Sequence, residues 1–136
     1  MGGGQKPPTV VPARTPLLHR FAPRVAELPA ARRALRDWLA AHPIDGDAVQ
    51  ELLIVATELC TNAVRHAASG FVTMRAWRED NAVVVEVEGR DNAVVRNLDH
   101  PEEGSRGMLI VQSLCDDVSI VVNGGSRFVR CRKLAF

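Results

Sequence analysis

A chain of 136 residues can bury one core and is too short for two ordinary domains. Hydrophobic residues make up 46% and charged residues 24%, the balance of a globular protein rather than a disordered one. Lys and Arg number 17 against 16 Asp and Glu, and the net charge of +1 gives no electrostatic basis for binding nucleic acid. No apolar run reaches the ~20 residues of a membrane span, and the start carries no apolar signal core.

Residues 1 to 15, MGGGQKPPTVVPART, are rich in Gly and Pro and lack periodicity. They read as a flexible tail, leaving a single domain over residues 16–136. Leu17 to Phe21 can form a short edge strand. Pro29 suits the first turn of a helix running to about Ala41, with Ala31, Leu35, Trp38 and Leu39 at helical spacing. His42-Pro43 ends it, because proline disfavours helix at the residue before it. Asp45 or Asp47 can cap a second, longer helix that stops near Ser69-Gly70. Val49, Leu53, Ala56, Cys60, Ala63 and Ala67 mark the face of that helix expected to pack on a sheet.

A hairpin follows: Phe71 to Trp77 and Ala82 to Glu88, turning at Glu79-Asp80-Asn81. Val83, Val85 and Val87 alternate with Val84, Glu86 and Glu88, which predicts one buried and one wetter face. Residues 92 to 103 form a polar connection. A third helix starts near Gly104 to Gly107 and continues through Met108, Val111 and Leu114. Val118–Val122 and about Phe128–Leu134 pair across Asn123-Gly124-Gly125. Helices in front of antiparallel strands predict an α+β two-layer sandwich, a mostly antiparallel sheet covered on one face by helices. The spacing of Cys60, Cys115 and Cys131 matches no zinc pattern; they read as buried small hydrophobes in a reducing cytoplasm.

Three segments carry chemistry. Glu58 and Asn62 lie four residues apart and project from one helix face, with Arg65 three residues further on. An acid that can take a proton and an amide oxygen that can ligate a hard cation suit a magnesium-nucleotide site; the same pair also occurs on plain solvated helix faces. Asp91 stands where a strand ends. A carboxylate there can read an exocyclic amine, or simply cap a turn. Gly104-Ser105-Arg106-Gly107-Met108-Leu109 leads into an apolar helix. Its unpaired N–H groups favour phosphate and Arg106 can add a charged contact, although a lone Gly-x-x-Gly is common in loops. Arg65 can reach phosphate or pair with a neighbouring carboxylate. His66 reads as structural.

Taken in order, these segments resemble the N box, G1 box and G2 box of the GHKL ATPase superfamily. Within it they are similar to the small bacterial anti-sigma-factor serine/threonine kinases and related actinobacterial regulatory ATP-binding proteins. The resemblance spans roughly residues 17 to 136. It implies the Bergerat sandwich, with ATP and Mg²⁺ as cofactors. Glu58 would then be the general base, Asn62 the magnesium ligand and Asp91 the acceptor from the adenine amino group. Arg65, Ala93, Gly104, Arg106, Gly107 and Met108 would line the nucleotide. Ala93 and Val95 stand where the usual Asp-x-Gly-x-Gly box has its glycines. The implied activity is partner switching in the cytoplasm: holding a sigma factor and phosphorylating a serine of a STAS-type antagonist. Neither nucleic acid nor membrane is an expected partner, and dimerisation is common among the resembling proteins. A non-catalytic binding module with weak or vestigial nucleotide binding is the alternative.

Overall fold

The computed structural model describes residues 15–67, 70–90 and 105–136. Strand β1 (Leu17–Phe21) opens the domain, and a 3-10 turn at Val25–Glu27 leads into helix α1 (Leu28–Ala40). Pro29 sits in the first turn, where its missing N–H breaks no helical bond. Helix α2 (Gly46–Arg65) is capped by Asp45, whose side chain accepts from the Asp47 N–H at 3.1 Å. Strands β2 (Val72–Glu79) and β3 (Ala82–Arg90), helix α3 (Ser105–Leu114), and strands β4 (Asp117–Asn123) and β5 (Ser126–Leu134) complete the fold.

The five strands form one antiparallel sheet in the order β1-β2-β3-β5-β4. Gly124 and Gly125, at φ +60° and +83°, make the tight turn between β4 and β5, a conformation that L side chains rarely adopt. Helices α1, α2 and α3 pack on one face of the sheet, giving the α+β sandwich the sequence predicts. Val83, Val85 and Val87 face the helices together with Met74, Ala76 and Cys131.

Two details differ from the sequence reading. Helix α2 ends at Arg65, short of Ser69-Gly70, with His66 as its C-cap. Its buried side also includes Leu52, Val55 and Leu59, whereas Val49 and Ala63 are only half-buried. The helix lies deep between α1, α3 and the sheet, so more than one stripe is covered. Cys60 and Cys131 are buried as expected. Cys115 is half-buried and its thiol shares a hydrogen bond with Cys131. That bond and nearby Lys133 favour the Cys115 thiolate; the same bond and burial push the Cys131 thiol far above its ordinary value.

Candidate active site

The second half of α2, the end of β3 and the start of α3 meet at one place. Glu58 and Asn62 project from α2 toward the first turn of α3. A Cβ built on Gly107 would stand 2.5 Å from Glu58 Oε1 and 3.9 Å from Asn62 Nδ2. Only glycine lets the helix backbone come this close to the acid without displacing it. Beside this contact is a pocket lined by Leu59, Asn62, Ala63, Gly89, Met108 and Arg127, with Val87 and Val129 behind. The Gly89 backbone permits close packing of β3 on α2, since a Cβ there would lie 3.3 Å from Ala63 Cβ.

The structure brings Glu58, Asn62, Gly107 and Met108 together. Arg65 and Arg106 are exposed and are not among the pocket's lining residues. His66 donates its backbone N–H to Asn62 O at 3.1 Å, closing the helix end. Asp91, Ala93 and Gly104 lie outside the described residues; Asp91 directly follows Arg90, the last residue of β3.

Sequence reasoning missed Leu59, Ala63, Gly89 and Arg127. Gly89 offered a signal, because an isolated glycine in a strand marks close backbone approach. Arg127 offered none. It reaches the pocket because it pairs with Gly89 across the β3–β5 ladder, and that register depends on the whole sheet.

The donor set fits a magnesium nucleotide in kind. Apolar walls from Leu59, Val87, Met108 and Val129 suit a flat base, Gly107 brings a helix N-terminus to the acid and amide, and Arg127 adds positive charge. Among the described residues, no group of three or more His, Cys, Asp or Glu gathers to hold a metal. Magnesium at phosphates characteristically takes only one or two protein oxygens, so Asn62 alone would serve. The space among the described lining residues is about 20 Å³, less than a nucleotide base fills.

Comparison with known proteins agrees with this geometry. Residues 21–133 match the model of the histidine kinase-like ATPase domain, and the chain belongs to that family. No curated protein matches the sequence. Among solved structures it is similar to the RsbU and RsbW domains of Rv1364c from Mycobacterium tuberculosis, with a TM-score of 0.72 and 19% identity. That match covers 89% of this chain and 32% of the other, so this chain spans about a third of that length. It is also similar to a protein of the SiaB-SiaC complex from Pseudomonas aeruginosa (TM-score 0.68, 15% identity, covering 92% of this chain and 93% of that one). A blue-light activated histidine kinase from Erythrobacter litoralis gives a TM-score of 0.55 at 22% identity, over 80% of this chain and 59% of that one. At these identities the likeness concerns the fold, and the fold is the GHKL sandwich. Among the described residues, no helix is long and apolar enough to cross a membrane.

Proposed function

We propose that the protein is an ATP-binding serine/threonine kinase of the anti-sigma-factor type, acting by partner switching. The observation that carries this reading is the convergence of Glu58, Asn62 and Gly107 where α2 meets the start of α3. Bound magnesium nucleotide would supply the phosphoryl group and neutralise its charge. Glu58 would accept the proton of the attacking serine hydroxyl, and Asn62 would offer its side-chain oxygen to the cation. The N–H groups of the first turn of α3 would hold the phosphates, with the exposed Arg106 available to add charge, and Asp91 would read the adenine amino group. That one of the similar structures is a SiaB-SiaC complex supports a protein partner; the sigma factor enters only through the resemblance of the three sequence boxes.

Two variants separate base from ligand. Glu58→Ala should leave nucleotide binding nearly intact and slow phosphoryl transfer by roughly 10²–10⁴-fold, the usual worth of a general base. Asn62→Ala should remove magnesium-dependent nucleotide binding. The assay offers labelled ATP with candidate antagonist proteins, and calorimetry follows binding. The nearly closed pocket and the substituted G1 box favour one other reading, a non-catalytic binding module. Wild-type protein that transfers no label, yet holds a sigma factor whatever stands at position 58, would establish that reading instead.

A further inference from the structure

A second cavity lies on another face of α2, between the N-terminal half of α1, α2 and strand β2. It has a volume of about 240 Å³. Leu28, Ala56, Cys60 and Met74 give it apolar walls, and Arg32 and Thr57 are its polar residues. The floor is uncharged: burial pushes the Cys60 thiol up to about 12, and its sulfur lies 4.0 Å from Met74 Sδ. Thr57 is already engaged, its hydroxyl donating to Leu53 O at 2.8 Å. Arg32 is half-buried and donates through Nη1 to Thr57 Oγ1 at 3.2 Å. Among the described residues, no carboxylate pairs with Arg32. A guanidinium carries five donors, so most of its capacity is open.

A guanidinium that meets no carboxylate among the described residues, beside an apolar hollow, suits a ligand with one anionic head and a hydrocarbon tail. We infer that this cavity binds a medium-chain aliphatic carboxylate, its head on Arg32 and its chain over Cys60 and Met74. Planar carboxylate and guanidinium can pair through two parallel hydrogen bonds. A hollow of about 240 Å³ is on the scale of a short hydrocarbon chain rather than of one or two waters. The site does not depend on the nucleotide pocket, because Glu58 and Asn62 point from a different side of the helix.

The test is titration of the full chain with octanoate, followed by amide and methyl NMR shifts. Saturable shifts at Ala31, Cys60 and Met74 are expected. The uncharged analogue 1-octanol should bind about tenfold more weakly or worse, and Arg32→Gln should weaken octanoate by a similar factor. Ala56→Leu should fill the hollow and abolish binding; if it does not fold, Ala31→Val makes the same test. Absence of saturable shifts, shifts centred on another surface, or equal binding by wild type and Arg32→Gln would overturn the assignment.

Discussion

At Gly107 a single hydrogen decides how closely α3 can approach Glu58. Alanine in place of a helical glycine normally strengthens a helix, by up to about 1 kcal/mol. Here the added methyl would meet Glu58 Oε1, the far end of a side chain that can swing away. Gly107→Ala should therefore keep or raise the thermal midpoint while displacing the acid from its place beside Asn62. If the protein is the proposed kinase, phosphoryl transfer should fall by about tenfold or more, the cost of a misplaced catalytic group. Scanning fluorimetry and the transfer assay read the two effects separately. A variant that melts early, or transfers at the wild-type rate, would show that the close approach has no part in positioning Glu58.

At the scale of elements, β3 is the most instructive. Its alternation predicts a wet face through Val84, Glu86 and Glu88, yet Val84 is 1% and Glu86 6% exposed. Neighbouring strands supply the cover. Glu86 accepts from Arg75 Nη1 at 3.2 Å on β2, and from Arg130 Nη2 at 2.7 Å and Nε at 3.1 Å on β5. The Arg130 guanidinium also lies 5.1 Å from the Trp77 ring centroid. Glu86→Ala should destabilise by about 2 kcal/mol, less than a fully buried pair would cost, because both arginines can turn back to water. Urea unfolding measures it, and a change under half that value would mean the network is mere surface decoration. Period-two alternation was legible in the sequence and placed β2, β3 and β5 within a residue or two. Burial of Glu86 was not, because it depends on partners brought together only when β2, β3 and β5 align. The candidate site divides in the same way. Glu58 and Asn62 share a helix face and could be read locally, whereas Arg127 enters the pocket only through sheet register.

Across the whole molecule, the order β1-β2-β3-β5-β4 puts the site at the centre and leaves β1 at an edge. An edge strand is secured by one ladder and by whatever it buries. For β1 these are its pairing with β2 and the side chain of Phe21, which is 4% exposed. A further tie lies just before it, where Trp38 Nε1 on α1 donates to the Thr15 carbonyl at 2.7 Å. We propose from this contact that the folded unit starts at Thr15, one residue before the start at residue 16 read from composition. We propose that residues 1–14 add nothing to stability, so a chain beginning at Thr15 should melt with the full-length protein. A chain beginning at Ala22 should behave otherwise. It loses Phe21 from the core, worth about 1.5–3 kcal/mol, and bares the edge of β2 to solvent and to other chains. Its midpoint should fall by roughly 10 °C, with aggregation on heating. Equal melting of all three chains would show that β1 is not part of the cooperative unit. Early melting of the chain that starts at Thr15 would show that the preceding residues dock on the core.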